Sequence, residues 1–219
     1  MRERVWAALE RERVARFPGA HGRIPNFKGA EAAAERLGGE AAWRSARVVK
    51  ANPDAPQLPV RRRALAEGKT VYMAVPRLRD EKPFLRLRGD ASIKARGAMP
   101  VGVGELEPVD LVVCGTVAAN RDGARVGKGG GYSDLEFGLL VEAGLVGDET
   151  TIATTLHPLQ VLDEELPETG HDFRVDLVVT PEKTTATGAR KRSPGIVWDH
   201  LDEAKIAAIP VLAALAAKT

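Results

Sequence analysis

Residues 109–115 read VDLVVCG, five apolar residues flanking one aspartate and closed by a glycine. A strand half-exposed to water alternates polar and apolar side chains, so a near-continuous apolar run fits a strand covered on both faces. The same pattern returns at residues 175–180, VDLVVT. Strands of this type, separated by helical segments, predict an α/β fold in which helices cover both sides of a mainly parallel sheet.

Working outward from these runs, ARVVKAN (46–52), TVYMAV (70–75), FLRLRG (84–89) and TTIATTL (150–156) complete the strand set. Helices are predicted over 2–16, with Val5, Leu9 and Trp6 on one side, over the alanine-rich KGAEAAAERLGG (28–39), over VRRRALAEG (60–68) and over about 134–146. PDAPQLP (53–59) carries three prolines and is expected to be irregular. Residues 97–108 read as a Gly/Pro-rich connection, and Pro210 is expected to kink or divide a last helix over 202–217.

The 219 residues suit one domain, 1–219, with 44% apolar and 28% charged residues and a net charge of only +2. A single cysteine excludes an internal disulfide framework and any cysteine-cluster metal site; Cys114 reads as a small core residue. Met1 opens onto a charged segment, and no run approaches membrane-spanning length, so a cytoplasmic location is expected. The basic run GARKRSPG (188–195) reads as a solvated loop before it reads as an anion site.

The chemistry concentrates in GARVGKGGGYSDLEFGLL, residues 123–140. It follows the 109–115 strand and leads into a helix, where a parallel sheet receives ligands. Small residues let backbone N–H groups approach an anion, the helix N-terminus adds partial positive charge, and Lys128 and Arg125 add full charges. It is not a Walker A loop, which needs one residue more and a hydroxyl after the lysine, nor the Rossmann G-x-G-x-x-G. An anion site is the favoured reading, with a plain structural turn the alternative. Asp134 is a helix N-cap by position and a candidate Mg²⁺ ligand by chemistry. His157 and Gln160 fall at the same sheet edge, although His157 equally suits a capping role. His21, His171 and His200 show no ligand spacing.

Residues 117–136, VAANRDGARVGKGGGYSDLE, resemble the loop of the 5-formyltetrahydrofolate cyclo-ligase family, with Gly123, Arg125, Gly127, Gly129, Gly131, Tyr132 and Asp134 in matching positions. GKTVYMAVPRL (68–78) and the segment 156–183 are similar to other family segments. RIPNFKGAEAAAERL and the ending GIVWDHLDEAKIAAIPVLAAL resemble a divergent branch, the methenyltetrahydrofolate synthetase domain-containing proteins. The resemblance implies a three-layer αβα sandwich of the ribose-phosphate isomerase and CoA transferase type. It also implies ATP and Mg²⁺ chemistry, in which 5-formyltetrahydrofolate is phosphorylated on its formyl oxygen and closed by N10 to 5,10-methenyltetrahydrofolate.

Carried over, Gly127, Lys128, Gly129, Gly130, Gly131, Tyr132, Ser133 and Asp134 would hold the nucleotide. Arg125 and Lys128 would serve as catalytic charge partners and Asp134 as metal ligand. Tyr132 would pack on nucleotide or pterin, and Phe27 and Lys28 would close the pocket. The family's amino-terminal lysine and arginine cluster, which serves ATP, has no secure match here, although Arg2, Arg4 and Arg11 lie nearby. The chain departs from the family at Asn120, Ser133 and Leu135, which are expected to remove groups beside the phosphates. A non-catalytic module binding nucleotide, folate or RNA on the same fold is the competing expectation. RNA is the weakest option, because net charge is near zero and aromatics are 5%.

Overall fold

In the computed structural model, which describes residues 1–188 and 191–217, the chain runs in the order α1 (Arg2–Arg11), α2 (Ala30–Gly38), α3 (Ala41–Ser45), β1 (Val48–Ala51), α4 (Leu58–Ala66), β2 (Thr70–Ala74), β3 (Phe84–Arg86), β4 (Met99–Val101), β5 (Leu111–Cys114), β6 (Ala118–Asn120), β7 (Arg125–Val126), α5 (Tyr132–Glu142), β8 (Thr151–Thr155), β9 (Val161–Leu162), β10 (Leu177–Val179), β11 (Thr184–Ala186), α6 (Glu203–Ala208) and α7 (Pro210–Ala216).

Eight strands form one sheet in the order β11-β10-β8-β5-β1-β2-β3-β4. The five central strands, β10 to β2, are parallel. Antiparallel strands finish both edges, β11 on β10 and the β3–β4 pair on β2. The apolar strand runs explain the layers. Val49, Ala51, Val71, Met73, Leu111, Val113, Ala153 and Val179 pack with α2, α3 and α4. The alternate residues Val48, Tyr72, Val112, Cys114, Ile152 and Val178 pack with α5 and α7. Each central strand is thus apolar on both sides because each side meets helices. A second sheet, β7-β6-β9, carries α1, whose Val5, Trp6 and Leu9 bury against Val117 and Ala118.

Several local expectations change. Pro56 and Pro59 do not prevent regular structure: they occupy first-turn positions of a 3-10 turn (Ala55–Gln57) and of α4, where a missing N–H costs nothing. The 97–108 connection contains β4, whose Pro100 is tolerated because the strand is an edge. Helix α5 ends at Glu142, stopped by Gly144 at φ 67°. Pro210 divides the last helix into α6 and α7, one of its two expected effects. In the basic run 188–195, Ala189 and Arg190 lie outside the described residues. Arg192 pairs with Asp176 at 2.8 Å and Lys191 with Glu168 at 3.5 Å, which makes the described cations part of the chain's own packing.

Candidate anion and substrate site

The parallel strands locate the site. From β1 the chain crosses one way to β2, and from β5 it crosses the other way to β8. The carboxyl ends of the adjacent β1 and β5 therefore open a crevice at the point where strand order reverses. A cleft of about 360 Å³ lies there. Pro18, Ile24, Leu58 and Ile93 give it apolar walls, while Asn26, Asp54 and Lys128 give it polar ones. Gly115, just past β5, leaves room for Asp54: a Cβ there would lie 2.6 Å from Asp54 Oδ2. Arg61 is buried beneath the β1–α4 loop and donates to the carbonyls of Ala91 (2.8 Å), Asn52, Asp54 and Pro53, fixing the cleft floor. Burial pulls its pKa down to about 10, and burial also pushes the Asp54 carboxyl up against the opposing charges of Lys128 and Arg61.

The glycine loop borders this crevice between β7 and α5. Gly129 (φ 103°) and Gly131 (φ 68°) supply its left-handed turns. Three of the loop's carbonyls are occupied: Arg2 Nε donates to Gly127 O at 2.6 Å, Lys205 Nζ to Gly130 O at 3.1 Å and Leu135 N to Gly131 O at 3.1 Å. Its amides are not. Among the described residues, no N–H of residues 127–131 donates to a protein acceptor. Lys128 is half-exposed, its Nζ 3.9 Å from Asp54 Oδ1. Tyr132, partly buried, has Lys205 Nζ 5.5 Å from its ring centre.

Asp134 is the third residue of α5 rather than its cap; that position belongs to Gly131. Its carboxylate is bound by the Nη2 of Arg125, whose guanidinium is buried and lies 3.9 Å above the Phe173 ring. Arg125 thus directs its charge to Asp134 from beneath the loop, and its Nε is buried without an acceptor. Ser133 Oγ accepts from Asn52 Nδ2 at 3.0 Å. Behind that contact, buried Lys50 donates to Asn52 Oδ1 at 2.8 Å and to Glu136 Oε2 at 2.5 Å. Burial raises the Glu136 carboxyl, and the Lys50 charge opposes that rise.

Residues distant in sequence complete the corner. One ligand atom each of Asp134, His171 and Asp172 lies within 4.8 Å of the others. His171 Nδ1 also sits 2.7 Å from His200 Nδ1, so two histidines with no ligand spacing in sequence meet in space, while His21 pairs with Glu3. The GHD triplet before β10 was the available signal for His171 and Asp172. Lys50 announced itself as a lone charge inside an apolar strand.

Other candidates take structural places. His157 Nδ1 accepts from Leu159 N at 3.2 Å, and buried Gln160 donates to the Thr116 and Val117 carbonyls, so both secure the turn after β8. Phe27 does not close the cleft; it is fully buried with Ala30 and Ala33, and it is Ile24 and Asn26 that reach the cavity. Leu135 faces the core. Asn120 binds the Asp122 and Ala124 amides and the Glu164 carbonyl, shaping the β6–β7 turn. These two departures therefore lie in packing and turn formation. Burial raises the Cys114 thiol pKa, in keeping with a core role.

The model of the 5-formyltetrahydrofolate cyclo-ligase family matches residues 2–181. The chain belongs to that family. It is 38% identical to a methenyltetrahydrofolate synthase domain-containing protein of Bos taurus, 40% to that of Mus musculus and 36% to that of Homo sapiens, over 97–100% of its own length. It spans 60–61% of the length of these relatives. The fold is similar to that of Aquifex aeolicus 5,10-methenyltetrahydrofolate synthetase, solved by NMR, with a TM-score of 0.55 at 19% identity over 91% of this chain and 99% of that one. In this chain the glycine loop leads into α5 at Tyr132, and its Lys128 lines the cleft at the switch point. No described helix is long and apolar enough to cross a membrane.

Proposed function

We propose that this chain binds Mg-ATP at the glycine loop and 5-formyltetrahydrofolate in the adjoining cleft, and that it closes the folate to 5,10-methenyltetrahydrofolate. The observation that carries the reading is the row of unengaged amides at residues 127–131, with Arg2 and Lys205 on the loop's carbonyls and Lys128 3.9 Å from Asp54. Amides and cations of this kind suit a phosphate chain. In this reading residues 1–219 act as one cyclo-ligase-like domain, in the cytoplasm.

The residues have separate tasks. The amides of Gly127, Lys128, Gly129, Gly130 and Gly131 and of the first turn of α5, with Tyr132 and Ser133, hold the nucleotide. Lys128 meets phosphate directly, and Arg125 orients Asp134 from below. Asp134, with Asp172 beside it, fits Mg²⁺, an ion that takes one or two carboxylates together with phosphate and water oxygens. Bound Mg-ATP supplies a transferable phosphoryl group. The chain's own contribution is positioning and charge neutralisation, because phosphoryl transfer asks little else of a protein. Asp54 and Asn26 offer hydrogen-bond partners to a pterin, whose faces meet Ile24 and Ile93.

The test mixes the purified chain with Mg-ATP and 5-formyltetrahydrofolate and follows the methenyl absorbance. Turnover is the expected result, and folded protein without turnover overturns the ligase activity. A second reading, a binding module without ligase chemistry, draws on Ser133: its hydroxyl replaces the family's second tyrosine and is engaged by Asn52. Calorimetric binding of ATP or folate without turnover would select it, and RNA binding alone would redirect it.

A further inference from the structure

The family match ends at residue 181, yet the glycine loop touches residues well beyond that point. We infer that Lys205, carried by the carboxy-terminal segment, is a phosphate-binding residue of the site. This rests on the nucleotide reading proposed above and extends it to a part of the chain outside the family match.

Four observations converge on Lys205. Its Nζ donates to Gly130 O at 3.1 Å and lies 5.5 Å from the Tyr132 ring centre. A Cβ added to Gly131 would stand 3.1 Å from that nitrogen, so the ammonium lies directly against the loop backbone. Among the described residues it has no carboxylate partner. Finally, its position is fixed by packing. Asp202 Oδ1 caps the short helix by accepting from Lys205 N at 2.6 Å, while Ile209 and Leu212 are buried in the core and Trp198, Leu201 and Ile206 pack against it. The same segment reaches the carboxylate corner through His200.

A carbonyl partner alone does not mark a ligand site, since Arg61 fastens the cleft floor through carbonyls only; the unengaged amides beside the cations are what distinguish the glycine loop. Here Arg2 and Lys205 both spend a donor on loop carbonyls and Lys128 stands 3.9 Å from its nearest carboxylate oxygen, while the neighbouring amides are unengaged. Arg2 and Lys205 thus each bring a positive charge onto the backbone of a loop whose N–H groups are unengaged, and of Arg2, Lys205 and Lys128 only Lys128 has a carboxylate near it among the described residues. An ammonium keeps two further donors after binding one carbonyl. Those donors, beside Tyr132 and over Gly131, face the space a phosphate chain would take. The carboxy-terminal segment thereby sets how tightly the loop holds its anion.

The decisive measurement is calorimetric titration of Mg-ATP into the wild-type chain, Lys205→Met and Lys205→Arg. Lys205→Met is expected to bind about tenfold to a hundredfold more weakly, the loss of one charged hydrogen bond, with Lys205→Arg retaining most of the affinity. A second measurement needs no variant: Mg-ATP should slow acetylation of Lys205 in the wild-type chain, read by mass spectrometry. Equal affinity of wild type and Lys205→Met overturns the inference while leaving the nucleotide site in place. Should Lys205→Met not fold, unchanged acetylation with and without Mg-ATP overturns it in the same way. A wild-type chain that binds no Mg-ATP overturns the nucleotide reading and this inference together.

Discussion

Lys128 and Gly123 stand at opposite ends of what a single side chain can do here. Lys128 reaches into the cleft, half-exposed, with only a 3.9 Å approach to Asp54. Replacing it with alanine is expected to weaken Mg-ATP by about 1.5–3 kcal/mol, the worth of a charged hydrogen bond. Unchanged affinity by calorimetry would remove Lys128 from the site. Gly123 holds φ 85°, and a Cβ there would run into the Val175 carbonyl and the Thr187 side chain. Gly123→Ala should therefore lose at least about 2 kcal/mol in urea unfolding, strain and collision acting together. The glycine positions were legible because composition alone marks places where backbone must come close. The burial of Arg125 was not legible. Nothing in ARVGKG tells whether an arginine faces water or lies stacked on a phenylalanine forty-eight residues on.

Between elements, the Lys50–Glu136 pair joins β1 to α5 in a face otherwise built of apolar side chains. Removing one partner leaves a buried charge alone, whereas removing both leaves an apolar contact. Glu136→Leu is expected to cost about 3–5 kcal/mol, and Lys50→Met with Glu136→Leu to recover most of it. Chemical denaturation of the two singles and the double closes the cycle, and simple additivity would show that the pair is not coupled. Faster amide exchange in the first turn of α5 should accompany Glu136→Leu, because Lys50 also holds Asn52 and through it Ser133. Element types were readable from apolar periodicity, since VDLVVCG and VDLVVT need cover on both sides. The edge strands β4 and β11 were not. They are three residues each, one contains proline, and their strand character comes from neighbours rather than from their own side chains.

For the molecule as a whole, acid is the informative perturbant. Glu168 accepts a fork from Arg174 and lies 3.5 Å from Lys191, and the Arg174 hydrogen bond holds its carboxyl below the ordinary range. A depressed carboxyl contributes stability above its unfolded pKa and loses it as pH falls through the folded one. Unfolding free energy should therefore decline below about pH 4, with Glu168 adding up to about 1.4 kcal/mol per pH unit. Glu168→Gln should be less stable at neutral pH and show a shallower acid limb; parallel limbs would contradict the assignment. At this scale the α/β class and its main layers followed from strand composition, whereas the meeting of His171 with His200 follows only from the folded path of the chain.

The lysine over the glycine loop also has a meaning in time. Synthesis proceeds from the amino terminus, and roughly seventy residues separate Gly131 from Lys205. At bacterial or eukaryotic elongation rates that interval is about 4–15 s. The loop and its amides can leave the ribosome well before the lysine that rests on them. A nascent chain would thus expose a weakly cationic, partly built anion site, and full affinity would arrive only when the last two helices dock.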